Sequence, residues 1–176
     1  PITLFEHDDI DNDILQNLDD FWGAYPKGVW PVTREQALIR LDEFVNGALK
    51  PFGPYEDAML GKEWKLAHSV LSSSLNIGLL HPMEVVRAVE QAYIDGEAPI
   101  NSVEGFIRQV IGWREYVWGL YWLWMPEYRS ENFLEANRNI PPAFREQGST
   151  EMSCIRGAMD HLHEYAYTHL SLIHIS

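Results

Sequence analysis

Cysteine, positive charge and long apolar runs are what this sequence lacks. Its one cysteine, Cys154, excludes an intrachain disulfide framework and suits a reducing compartment, the cytoplasm. Thirteen Lys and Arg stand against 26 Asp and Glu, a net charge of -13. Phosphate contacts need clustered cations, so the balance argues against casual nucleic-acid binding. The acid excess is uneven. Glu6, Asp8, Asp9, Asp11, Asp13, Asp19 and Asp20 all fall in the first twenty residues, and the mildly acidic remainder leaves room for a local basic groove. No apolar run approaches the roughly 20 residues of a membrane span. The most apolar stretch, Trp113 to Met125, carries Arg114 and Glu115. A secretory signal pattern is missing, as is any period-2 alternation long enough for a strand, or any repeat. The chain opens on Pro1 and not on methionine, and it stops abruptly, which reads as a piece of something longer.

What is present is a core and helix signals. A length of 176 residues suits one domain, and 46% hydrophobic with 12% aromatic residues can fill it. Residues 1–30 read as an acidic linker or peripheral segment, with Pro26, Gly28 and Pro31 blocking regular structure. Thr33-Arg34-Glu35-Gln36 forms a capping box, opening a helix that runs to about residue 49 and ends at Pro51, Gly53 and Pro54. The stretch 68–80, HSVLSSSLNIGLL, enters a short helix near Ser72 and leaves it near Gly78. His81-Pro82 starts another, running through Val85, Val86, Val89 and Ala92 to Gly96. Asn101, as N-cap, opens the longest helix, to about Met125. Its two apolar stripes predict a central helix buried on several sides. A proline-punctuated connection and a final helix, about 150–168, complete an all-α fold.

Four groups of residues could carry chemistry. Arg114-Glu115, wrapped in four of the seven tryptophans, is a buried ion pair or part of a pocket wall. Gln109, five positions earlier and about 140° around an α-helix, could line the adjacent wall. Ser69, Ser72, Ser73 and Ser74 are helix-cap and surface serines, or a phosphate cradle. His161, His163, His169 and Glu164 lack the HExxH spacing of a zinc site and read as solvated or capping residues, with His169 open as a catalytic acid. Cys154 on an amphipathic helix is ordinarily core and makes no metal site alone.

Three stretches together resemble one family. HSVLSSSLNIGLLHPMEV is similar to the flavin-phosphate segment, T-S-x-L-S-x-x-L-x-x-G-x-L-S-P-x-E-V, of photolyases and cryptochromes. VEGFIRQVIGWREYVWGLYW resembles their F-x-x-E/Q-L-I-W-R-E-F helix with one glycine added, Gly112. That glycine, FGPYEDAML and TEMSCI look like the bacterial deoxyribodipyrimidine photolyase-related proteins, the iron–sulfur bacterial cryptochromes and (6-4) photolyases. The likeness covers about residues 30–169. It implies an all-α, partial FAD-binding helical domain over 31–169, without the α/β antenna domain or the later helices that complete the flavin site.

The resemblance also implies roles. Tyr55, Ser69, Leu71 and Ser72 match positions near the FAD phosphates and ribityl chain. Gln109 matches the residue between flavin and lesion, Arg114 the arginine beside the flavin, and Trp113 its aromatic neighbour. Cys154 matches the first of four cysteines on a [4Fe–4S] cluster, the other three being absent here. Tyr167-Thr168-His169 matches the start of a Y-A-H-H-I-Q-R-L-M pattern. The second histidine, the family's proposed proton donor, is replaced by Leu170. From there LSLIHIS leaves the pattern, so 170–176 reads as a non-native tail. Phe144-Arg145-Glu146 departs from the family near an expected electron-transfer tryptophan. The function so implied is light-driven repair of a pyrimidine lesion in damaged DNA by reduced FAD, by a monomer, with the antenna chromophore unspecified. A blue-light photoreceptor and a non-enzymatic helical interaction module are the alternatives.

Overall fold

The computed structural model describes residues 2–18, 22–60, 63–146 and 148–168. The chain is all-α. Among the described residues no strand forms, and Leu60 and Glu63 make only an isolated bridge. Among the described residues no helix is long and apolar enough to cross a membrane. Helix α1 spans Asp9–Gln16 within the acidic segment. Asp8 and Asp11 build its capping box, where carboxylates suit the orphan N–H groups and the dipole. It buries none of its residues.

Helix α2, Arg34–Glu43, starts at Thr33 as the sequence predicts, the Thr33 hydroxyl accepting from the Gln36 N–H at 3.3 Å. The Gln36 side chain reaches one residue further back than a capping box requires, accepting from the Val32 N–H at 2.9 Å. The helix then continues through a π segment, Phe44–Ala48, into α3, Leu49–Tyr55. The expected stop at Pro51 to Pro54 is therefore overturned, and the reason lies far away in sequence. Pro54 cannot donate to the Lys50 carbonyl four residues back. The fully buried Ser102 hydroxyl donates to that carbonyl instead, at 2.9 Å, and accepts from the Gly53 N–H at 3.0 Å. Gly53 is needed there, because a Cβ would sit 2.9 Å from the Ser102 nitrogen.

Helix α4 is the single turn Ser72–Asn76. Helix α5, Pro82–Ile94, is capped by His81, whose Nδ1 accepts from the Met83 N–H at 3.2 Å, while Glu84 accepts from the His81 N–H at 3.3 Å. Next come α6, Ile100–Ile107, a π segment, Arg108–Trp113, and α7, Arg114–Trp124, in one continuous rod. Pro99 is the cap residue and Asn101 lies inside the helix, because Ser102 is drawn into the contact with α3. After two 3-10 turns, Glu127–Ser130 and Pro142–Phe144, helix α8 spans Ser153–Tyr165.

The core lies where α2, α3, α5 and α6 meet. Ala37, Leu41, Phe44, Phe52, Val85, Val89, Val103, Phe106 and Val110 are all buried in it. Phe44, Phe52 and Phe106 form an aromatic triad with centroids 4.5 to 6.0 Å apart, as edge-to-face and tilted pairs prefer. The central rod is buried only as far as Val110. From Trp113 to Trp124 every large aromatic is exposed, and so are Arg114 and Glu115. The expectation of a rod buried on several sides, with a buried ion pair in it, does not hold in this chain. Among the described residues, α7 packs appreciably only on its own π segment.

Arg40 is a buried charge that the sequence did not flag. Its guanidinium donates to the carbonyls of Thr3 at 2.8 Å and Val29 at 2.7 Å, pairs with Glu43, and lies over the Phe5 ring. It ties the N-terminal segment to α2.

Candidate functional site

A cavity of about 360 Å3 opens beside the core, between the end of α3, the loop into α4, and α6 with its π segment. Two separate sequence stretches meet in it. Ser69, Leu71 and Ser72 come from the serine-rich stretch and Gln109 from the central rod. Phe52 and Phe106 supply an apolar floor shared with the core. Glu56, His68 and Tyr167 complete the lining that concerns chemistry.

The loop before α4 is held in an uncommon conformation. Leu66 and Val70 have φ of 48° and 51°, the left-handed region that costs a non-glycine residue roughly 1 to 3 kcal/mol. His68 between them secures the loop. Its Nδ1 lies 2.7 Å from the Lys65 carbonyl and its Nε2 2.9 Å from the Glu56 carbonyl, bridging the end of α3 to the loop. Ser69 Oγ accepts from the Leu71 N–H at 3.4 Å. Residues 69–72 therefore present hydroxyls and backbone to the cavity from a fixed turn.

The π segment does similar work on the other wall. One residue more than the F-x-x-Q-L-I-W-R pattern, Gly112, would rotate the following residues off their face in an α-helix. In the i→i+5 register, residues five apart succeed each other by one turn, and such π turns frequently mark functional sites. Arg114 thus follows Gln109 along the rod and is not 140° around it, as α-helical spacing predicts.

Tyr167 reaches the cavity from beyond α8 through an aromatic cluster. Trp64 stacks on Tyr165 at 4.4 Å and meets Tyr167 edge-on at 5.7 Å, while Trp30 Nε1 donates to the Tyr165 carbonyl at 2.8 Å. Burial pushes the Tyr167 phenol up to about 12.

Polar capacity is left over at this site. Glu56, which lines the cavity, has its Oε2 buried without a hydrogen-bond partner among the described residues, and the hydroxyls of Ser73 and Ser74, next in sequence to the lining residue Ser72, are likewise unpartnered but outside the lining. Unmet acceptors and hydroxyls at a cavity suit a ligand rich in hydroxyl and N–H donors, and the phenylalanine rings suit a flat apolar one. Glu56 and Asp57 are carboxylates on the same wall and disfavour an anion beside them. A flat ring system carrying a polyol chain fits these groups.

Of the residues predicted from sequence, Ser69, Leu71, Ser72 and Gln109 are brought together. Tyr55 lines a neighbouring cavity, and Trp113 and Arg114 are exposed further along the rod. Cys154 is exposed at the start of α8, so the reading of it as a core residue is overturned. No group of three metal-capable side chains forms among the described residues. His163 meets Trp22 edge-on at 5.6 Å, and Glu164 pairs with Lys27 at 2.5 Å. His169 and the tail 170–176 lie outside the described residues. Sequence reasoning missed Glu56, His68 and Tyr167, whose roles depend on contacts across the fold.

No protein-family model matches the chain. An uncharacterised protein of Acanthamoeba polyphaga mimivirus is 43% identical over 68 residues, 38% of this chain and 52% of that protein. A (6-4) photolyase of Agrobacterium fabrum is 41% identical over 170 residues, which is 94% of this chain and 33% of that protein. The chain thus spans a third of the length of that relative. With such identity along nearly its whole length, a fold that is helical and without strands among the described residues, and the serine loop and the glutamine of the rod at one cavity, the chain belongs to the cryptochrome/photolyase family.

Proposed function

We propose that this chain supplies part of the FAD site of a light-driven DNA photolyase acting on a (6-4) or related pyrimidine lesion. The observation that carries this is the convergence of Ser69, Leu71, Ser72 and Gln109 on one cavity. Bound in its reduced form, FAD supplies a light-driven electron to a damaged base. The chain's own residues bind and orient it. Ser69 and Ser72 donate to phosphate or ribityl oxygens, and the Leu71 backbone lines the same turn. Glu56 accepts from a hydroxyl or N–H donor, which relieves its unpartnered oxygen. Phe52 and Phe106 exclude water from the floor. Gln109 faces the lesion side, and Trp113 and Arg114 extend that wall one turn along the rod. Damaged DNA is the partner, its lesion flipped out of the stack, which costs least where pairing is already lost. Cys154 stands as one thiolate of a [4Fe–4S] cluster that requires four, and three are supplied from outside this chain. Residues 31–169 form the helical unit, 1–30 its acidic peripheral lead and 170–176 a non-native tail, in a cytoplasmic monomer. A light receptor would use the same flavin site, and light-dependent loss of lesions separates the two.

Equilibrium dialysis of the chain against FAD tests the reading. A partial site with few enclosing walls should bind weakly, with a Kd on the order of 10 to 100 μM. Gln109→Leu and Ser72→Ala should each weaken binding severalfold. Absence of saturable binding up to millimolar FAD, or binding by both variants as tight as by the parent chain, overturns it.

A further inference from the structure

The cavity beside Tyr55 is distinct from the one above and measures about 600 Å3. It lies between the first π segment with α3 and residues 58–60 and 65–67. Its walls are mostly apolar, with Pro51, Met59, Leu60 and Leu66 prominent. Three polar side chains reach it: Glu43, Tyr55 and Lys65. Glu43 is already committed. One carboxylate oxygen accepts from the Thr3 N–H at 2.9 Å and from the Thr3 hydroxyl, and the other takes the Arg40 guanidinium. The Lys65 ammonium makes no hydrogen bond or ion pair with a described residue. Burial lowers its ammonium below the usual lysine range, the Arg40 charge lowers it further, and Glu43 opposes both. Two cations therefore share one carboxylate at the edge of an apolar cavity. A desolvated ammonium whose counter-charge is already taken up by a second cation is costly, and an incoming anion would lower that cost. Leu66, the next residue, holds its left-handed backbone at the cavity wall, and strain of this kind collects at ligand sites.

We propose that this cavity binds a small molecule with an aromatic body and a single carboxylate, the carboxylate pairing with Lys65 and accepting from the Tyr55 hydroxyl. The aromatic body lies against Pro51, Met59 and Leu66. One negative charge matches the excess of the two cations, Arg40 and Lys65, over the single Glu43 carboxylate, and that carboxylate disfavours a dianion. The inference does not depend on the flavin reading, since no residue is shared between the two linings.

Isothermal titration of the full chain with 2-naphthoate tests it, with the neutral 2-naphthamide as companion probe. Saturable one-to-one binding is expected, with the amide at least about tenfold weaker, the weight of one charge-assisted hydrogen bond. Lys65→Met should weaken naphthoate by a similar factor, and Lys65→Arg should retain it within about threefold. Far-UV circular dichroism establishes that each variant is folded. The amide comparison needs no variant. Equal binding of acid and amide, or of the parent chain and Lys65→Met, overturns the proposal and moves the probe to the exposed aromatics of α7. Displacement of naphthoate by FAD, or its weakening by Ser72→Ala, also overturns it, because the two cavities would then be one site.

Discussion

Ser102→Ala removes one hydroxyl and should destabilise the fold out of proportion to its size. The hydroxyl is fully buried and makes two hydrogen bonds to α3, donating to the Lys50 carbonyl and accepting from the Gly53 N–H. The Lys50 carbonyl cannot turn to the helix ladder. Pro54 has no N–H to give Lys50, and the close approach of α6 over Gly53 leaves no room for a side chain. Alanine would leave that acceptor unmet, at about 1 to 3 kcal/mol, and remove the bond from Gly53, at about 0.5 to 1.5 kcal/mol. Both groups are only partly buried, so the lower half of each range applies, about 1.5 to 3 kcal/mol in all. For a chain of this length that corresponds to a fall in Tm of roughly 3 to 12 °C. Urea unfolding followed by far-UV circular dichroism measures it, with exposed Ser130→Ala as control, expected within about 0.5 kcal/mol. The two bonds also hold α3, which carries Phe52 into the candidate site, so FAD binding should weaken in parallel. A loss below about 0.5 kcal/mol for Ser102→Ala would refute the account of why the helix runs on to Tyr55.

Arg114→Ala should change stability by no more than about 0.5 kcal/mol in the same assay, because both Arg114 and Glu115 are exposed; a buried pair would lose about 3 to 5 kcal/mol. The Arg34 guanidinium, bonded at 2.6 Å, holds the Glu84 carboxyl below its usual 4.5. A depressed acid contributes stability above its unfolded value and loses it as pH falls through the folded one, so Glu84→Gln should lose less stability between pH 6 and pH 3 than the parent chain. Absorbance at 295 nm should show one tyrosine, Tyr167, ionising only near pH 12, and Tyr167→Phe should abolish that late step. The folded chain retains that proton, so stability should decline as pH rises from about 10 to 12.

What the sequence determined by itself is what depends on neighbours within a turn or two. Thr33 and His81 start helices because a cap bonds the N–H groups two or three residues on, and both are found where the spacing predicts. Ala37, Leu41 and Phe44, like Val85, Val89 and Ala92, are buried because helical periodicity puts them on one face. The resemblance added the pairing of the serine loop with Gln109, which periodicity could not. Tertiary structure decided the rest. The helix passes Pro51 and Pro54 because Ser102, some fifty residues away, replaces a missing donor. Arg40 is buried because Thr3 and Val29 lend it carbonyls. Tyr55 falls in a different cavity from Ser69 because the His68-bridged loop lies between. The apolar stripes of Trp113 to Trp124 state only that the rod can be buried. Whether it is depends on which elements lie against it, and a helix's own pattern carries no record of those.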